Sequence, residues 1–305
     1  MKKVFLYMLI SSALLAQNIS VVKTEMLTHN EDGGFFYPAA SKSGSKILLT
    51  SDNYQGLWLL DANTKNIIQL NNYTGAGYNA SFTASEEEVI FRKDDYSQKK
   101  KYSSLIIQSL NNMNEIVIEA NTRNLSEAVV LKNGNAAYTK EEKLQVADIN
   151  SGKSLSASTS EPVVYIENGA IALFNSGVKK ILKPLGEVNY LWQSISPDGT
   201  KLLFTAAGKG TYITDLNGNI IANLGYANAP QWSPNGKYVV YMNDKDDGHK
   251  LLSSDIYVIS VDGKNRTRVT STENGIEIYP AWLSSNKVLY GTTEGVIYSI
   301  ELKFE

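Results

Sequence analysis

The chain has no cysteine, so it can form no disulfide and carry no lipid-anchoring thiol, and outside the cytoplasm its stability has to come from packing alone. Histidine is nearly as scarce. His29 and His249 are the only two in 305 residues, too few for a multi-histidine metal centre, and both sit in polar stretches ("THNEDGG" and "DKDDGHK") where a solvated imidazole is the expected state. There is no G-x-S-x-G elbow, and with no cysteine a nucleophilic triad has no starting point. Neither sign of charge dominates: 29 Lys and Arg face 31 Asp and Glu, a balance that removes nucleic acid as a partner. Beyond residue 16 no apolar run approaches the roughly 20 residues that a membrane-spanning helix needs, so the mature chain is expected to have no transmembrane segment.

What is present starts with "MKKVFLYMLISSALLAQ". Lys2 and Lys3 precede an apolar run from Val4 to Ile10 that resumes at Ala13, and Ala16 precedes Gln17. This reads as a signal peptide over 1–16, followed by a single domain over 17–305 that is exported, periplasmic or extracellular. Removing the two lysines leaves 27 basic against 31 acidic residues, a net charge of about -4. Tyrosine (18) outnumbers phenylalanine (8) and tryptophan (4), which suits strands with half-buried rings.

The chain also repeats itself. "SPDGTKLLF" (196–204) and "SPNGKYVVY" (233–241) align without a gap on "SKSGSKILL" (41–49) and "TASEEEVIF" (83–91), and looser copies follow at 131–138, 166–173 and 283–290. A second unit trails the first: "LWLLDANTKNIIQL" (57–70), "LQVADINSGKSLSA" (144–157), "TYITDLNGNIIANL" (211–224) and "IYVISVDGKNRTRV" (256–269). Each unit is a strand, a tight polar turn and a second strand, with Asp or Asn bonding the turn backbone and Gly or Pro setting φ. Two hairpins make a four-stranded antiparallel sheet, and a ring of such sheets is an all-β propeller. The repeats allow six or seven blades and count to seven, the unit at 162–188 being abnormally short. "ISVVKTEMLTH" (19–29) has the character of a last strand, and the chain ends after a third strand at 296–305. The N-terminal strand is therefore expected to complete the C-terminal blade, removing a free sheet edge. The tryptophans are expected in blade packing, and the prolines of "PQW" (230–232) and "PAW" (280–282) at strand starts.

The stretch Pro230-x-Trp232-Ser233-Pro234-Asn235-Gly236-Lys237, with Asp255-Ile256-Tyr257-Val258 and the turn at 262–264, resembles the repeats of the TolB propeller domain and of related WD-like propellers. The resemblance covers about 19–302 and is strongest over 190–290. It implies a propeller, six-bladed in TolB, and the display functions of scaffolds and translocation accessories. Neither the α/β domain of TolB nor the hydrolase domain of prolyl-oligopeptidase-type peptidases is expected here, since the signal and the blades leave room for neither.

No catalytic set emerges, and no cofactor is expected. Asp244, Asp246 and Asp247 share one loop with His249, an oxygen-rich composition that would suit a divalent cation, but the spacing is not that of an EF-hand. The stretch 92–104 carries Arg92 and the run Lys99 to Lys101, a candidate surface for an acidic partner. Tyr37, Tyr78, Tyr190 and Tyr279 recur just before the first strands and should approach the channel mouth, on the face where the longer loops collect. The candidate binding residues are thus Tyr37, Tyr78, Arg92, Lys99, Lys100, Tyr190, Asp244, Asp246, His249 and Tyr279. The expected function is non-enzymatic binding of a protein or cell-envelope component through that face. The alternatives are a metal-dependent hydrolase of gluconolactonase type, and a glycan-binding propeller.

Overall fold

A computed structural model describes residues 18–159, 161–272 and 275–305; the signal segment lies outside them. The first repeats build sheets from Phe36 to Asn71, Ser81 to Thr122 and Val129 to Leu155. The later ones build sheets from Val163 to Leu182, Tyr190 to Gly225, Asn228 to Arg268 and Glu277 to Phe304. These seven antiparallel sheets are the blades, numbered here from the first in chain order, and the only helical pieces among the described residues are two single 3-10 turns. Six blades have four strands. The fourth has three, because the short unit at 162–188 makes two hairpin turns, at 168–169 and 176–177, and meets Pro184 and Gly186 where another strand would start. Its outer strand, Val178–Leu182, keeps Lys179 and Lys180 at the exposed edge, a guard against pairing with other chains.

The core explains why one blade cannot stand alone. Among the described residues the buried apolar side chains form seven clusters, one at each blade-to-blade interface. Successive residues of a strand point to opposite faces, so the unbroken apolar runs of the second strands feed two clusters at once. Ile47 and Leu49 pack against blade seven while Leu48 packs against blade two. Val239 and Tyr241 face blade five while Val240 faces blade seven. Trp232 and Trp282 stitch the later interfaces: their indole N–H groups donate to the backbone oxygens of Ser194 (3.4 Å) and Gln231 (3.2 Å), each in the first strand of the preceding blade.

The ring closes as the sequence leads one to expect. Ile19–Met26 pairs antiparallel with Ile297–Phe304 in the seventh blade, from Ile19 opposite Phe304 to Met26 opposite Tyr298. Reciprocal backbone bonds between Asn18 and Glu305, 3.0 and 2.9 Å, fasten the end of the seam.

The repeated turn has a simple chemistry. In Ser196-Pro197-Asp198-Gly199 the serine hydroxyl donates to Asp198 Oδ1 at 2.5 Å and accepts the Lys201 N–H at 2.9 Å, while Gly199, at φ +75°, donates its N–H to the Ser196 carbonyl. Ser233 and Asn235 repeat the arrangement at 2.7 Å. One hydroxyl therefore closes the turn from both sides, which accounts for serine in these copies.

Candidate functional site

The end of the ring opposite these turns is built from a recurrent distortion. Counting four residues back from the turn serine, or its equivalent, lands on Tyr37, Asn79, Trp192, Ala229 and Tyr279, and all five have left-handed backbone, φ between +46° and +51°. In four blades this residue and the next together face one residue of the second strand, a β-bulge: Tyr37 and Pro38 face Leu49, Trp192 and Gln193 face Phe204, Ala229 and Pro230 face Tyr241, Tyr279 and Pro280 face Tyr290. The prolines thus lie within the strands, beyond paired residues such as Asn228 and Ile278, and not at the strand starts as the sequence suggests. A bulge on an inner edge strand tolerates them for the same reason, since no ladder donor is lost. A non-glycine left-handed residue costs on the order of 1 kcal/mol or more, and its recurrence around one rim marks that rim for attention.

The bulged residues and their neighbours line two adjoining cavities of about 520 Å³ each, both bordered by Tyr78, Asn79, Trp192 and Gln231. Tyr37 is the hub of an aromatic wall: its ring centroid lies 4.1 Å from that of Tyr279 and 4.4 Å from that of Tyr54, and Tyr54 meets Tyr78 edge-on at 5.0 Å. Burial, then hydrogen bonding to Tyr279 and Tyr54, pushes the Tyr37 phenol well above the ordinary tyrosine range. Burial likewise raises Tyr54 and Tyr78. Facing this wall, Trp192 is 41% exposed with no partner for its indole N–H among the described residues, so it is the one tryptophan that does not serve packing in the expected way.

Glu127 occupies the same place, four residues before the third blade's turn, and enters the second cavity. Its carboxylate accepts a bond from Asn79 Nδ2 at 3.1 Å and lies 3.6 Å from Arg92 Nη1. Arg92 itself is buried. It bonds Asp94 Oδ1 at 3.0 Å and the Leu125 carbonyl at 3.1 Å and lies over the Tyr78 ring at 5.3 Å, while Asp94 also accepts from Ser103 at 2.6 Å. Arg92 therefore sits behind the mouth, holding Glu127 and Tyr78 in place, with its guanidinium already engaged.

The other sequence candidates lie elsewhere. Residues 92–104 are not a loop: strands Glu88–Ser97 and Lys100–Ser109 run on as a hairpin arm, with Gln98 and Lys99 as a left-handed two-residue turn and Lys99 and Lys100 at its exposed tip. Cross-strand pairing of Asp95 with Tyr102 and of Tyr96 with Lys101, and an ion pair from Lys101 to Asp94 at 3.2 Å, keep this polar stretch extended. A second arm, Tyr238–Asp246 with Leu251–Ser260, rises from blade six. Asp246 and His249 are at its exposed tip, where Asp246 accepts from Gly248 N–H and Asp247 from His249 and Lys250 N–H. Asp244 is buried at the base of that arm, bonded by Asn228 (2.7 Å) and Tyr226 (3.2 Å). The aspartates of this stretch are thus spread along the arm and do not converge. Tyr190 borders the second cavity but stands apart from the other tyrosines: it lies two residues before the bulge position, packs edge-on against Phe204 between blades four and five, and its hydroxyl donates to the Gly186 carbonyl. Of the four tyrosines grouped by the sequence, Tyr37 meets Tyr279 directly and Tyr78 through Tyr54, whereas Tyr190 is outside this wall. Asn79, Glu127 and Trp192 are reached only by counting register from the turns, and Tyr54 enters from a 3-10 turn outside the repeat.

No protein-family model and no curated protein matches the sequence. Solved structures do share the fold. An oligogalacturonate lyase in complex with manganese is 13% identical, with 95% of this chain and 97% of that one covered at a TM-score of 0.65. The β-propeller domain of Cps50 (Swd1) from Myceliophteria thermophila is 10% identical over 93% and 99%, TM-score 0.63. TolB from Acinetobacter baumannii is 19% identical over 82% of this chain and 57% of its own, TM-score 0.53. Identities this low establish the fold alone. For the metal of the lyase the donors do not fit: among the described residues no group of three or more His, Asp and Glu is placed to hold an ion, and both histidines are exposed.

Proposed function

We propose that the chain is an exported, non-catalytic propeller that binds an envelope component at the aromatic mouth of its channel. The supporting observation is the convergence at one rim of an exposed tryptophan, a tyrosine wall and polar side chains set on strained bulges, where cavities of ligand size open. The two arms stand on nearly opposite sides of that rim and would limit approach to the mouth. The gluconolactonase-type alternative draws support only from the Glu127–Asn79 pair. With Arg92 beside the carboxylate and no second acid at the mouth, that pair is a weak start for a hard-cation site.

The test is a cross-linked pull-down from envelope extract using the chain beginning at Gln17, with and without a chelator, beside its Trp192→Ala variant. Capture of one component that resists chelation and falls at least about tenfold with Trp192→Ala is expected. Capture unchanged by the substitution would overturn the placement at the mouth, and chelator-sensitive turnover by the purified protein would overturn the non-catalytic reading.

A further inference from the structure

We infer that the ligand of this mouth is an uncharged oligosaccharide, an inference that rests on the binding reading above. Three features of the rim converge on that chemistry.

The first is charge. The lining of the two cavities holds a single carboxylate, Glu127, already faced by Arg92, and a single amine, Lys42, which lies in the turn beyond the first strand of blade one, at the other end of the ring. Among the described lining residues an acidic polymer would find no uncommitted cation at the mouth to replace its lost hydration, Arg92 being held by Asp94, Glu127 and the Leu125 carbonyl, and a charged peptide would fare no better.

The second is the pairing of flat apolar faces with planar hydrogen-bonding groups. Trp192 is partly exposed and lines both cavities, and Gln193, Gln231 and the Oδ1 of Asn79 have no side-chain partner among the described residues. Amide and indole groups donate and accept in fixed directions, and they are ready to meet hydroxyls. A pyranose offers both surfaces: axial C–H groups for the ring and equatorial hydroxyls for the amides. Each cavity is large enough for a small ligand, and their shared border lets one chain of sugars lie across both.

The third disfavours a peptide in particular. The strands that line the channel are inner edges, the usual template for adding an extended peptide. Here Pro38, Pro230 and Pro280 remove the amide donor at the same bulge position in three blades, and the bulges break the even spacing that a paired strand requires.

The experiment uses the chain from Gln17, with calorimetry and tryptophan fluorescence against uncharged hexasaccharides (maltohexaose, cellohexaose, chitohexaose, mannohexaose) and against hexagalacturonate. At least one uncharged hexamer is expected to bind about tenfold or more tighter than hexagalacturonate, a difference of about 1.4 kcal/mol. Trp192→Ala and, independently, Gln231→Ala should each weaken that binding at least severalfold without lowering the unfolding temperature appreciably. Hexagalacturonate binding as tightly as the best uncharged sugar, uncharged binding indifferent to both substitutions, or no binding by any uncharged hexamer would each overturn the inference. If the sugars fail while the pull-down still retrieves a Trp192-dependent protein, the glycan inference falls and the binding reading stands. If neither assay yields a Trp192-dependent ligand, both fall.

Discussion

The two ends of this ring are made from the same strands and differ in almost everything else. At the turn end the side chains that shape the turns find local partners: Ser196 and Asp198 serve each other and the backbone of their own turn, and blades are linked by bonds such as Ser43 N–H to Glu86 Oε1 at 2.6 Å. At the mouth the backbone is held left-handed by large residues, a tryptophan stands open, and amides are left without partners. The repeating end is chemically closed; the end where the repeat is broken keeps chemistry in reserve. Substitutions should sort accordingly, the first kind altering stability and the second altering binding.

The largest expected effect comes from opening the ring. Removing residues 18–26 takes away the outer strand of blade seven, exposes the edge of Ile297–Phe304 and strips Ile19 from the cluster shared with blade six. A fold whose cores all lie between blades should then lose most of a stability of roughly 5–15 kcal/mol. Chromatography and a thermal melt are expected to show association and no cooperative transition, and a monodisperse protein with an unchanged melt would disprove the role of the seam.

A matched pair sharpens the comparison further. Ser196→Ala leaves the part-buried Lys201 N–H bond and the Asp198 bond unmade and should cost about 1–3 kcal/mol with no effect on ligand affinity. Trp192→Gly should do the reverse: glycine accepts the φ of +50° without strain, so stability should move by less than about 1 kcal/mol while binding is lost. Denaturant melts and a binding isotherm on both variants decide it, and a reversal of the two outcomes would refute the division of labour.

This division also explains what could be read in the sequence. The turns are legible because Ser, Asp or Asn, and Gly do a local job that needs those residues at fixed spacing; the unit at 162–188 shows in the sequence only as abnormally short, and its three-stranded form is visible in the structure alone. The mouth was half legible. Collecting tyrosines by type gathers Tyr190, which borders the second cavity from a different register, and misses Asn79, Glu127 and Trp192, which share the place of Tyr37 and Tyr279 but not their chemistry. A bulge adds one residue to a strand and leaves no trace in apolar alternation, so register counted from the turn is the signal that finds the site. The charged residues of the arms suggest loops, whereas cross-strand pairs hold them as strands.

The smallest effect separates the two ends by pH. Bonds first from the Ser196 hydroxyl and then from Thr200 outweigh burial and hold the Asp198 carboxyl well below the usual carboxylate range, whereas in the unfolded chain it titrates near its ordinary value of about 3.9. As the unfolded state takes up the proton more readily, this stabilisation is complete above about pH 4 and declines as the pH falls from there toward the folded value. The side chain is 55% exposed, so screening limits the contribution to less than about 1 kcal/mol. Asp198→Asn should lose that amount at pH 7 and flatten the acid limb of the stability profile, with the turn itself preserved, since Asn235 fills the same role beside Ser233. At the mouth the phenols of Tyr37, Tyr54 and Tyr78 are raised by burial, so they stay protonated where a tyrosine ordinarily ionises near pH 10, and ligand affinity should not fall through their ionisation up to that pH. Stability that drops in acid, beside an affinity that persists into alkali, would place the two responses at opposite ends of the ring; an acid limb unchanged by Asp198→Asn would show that the turn carboxylate contributes nothing to the first.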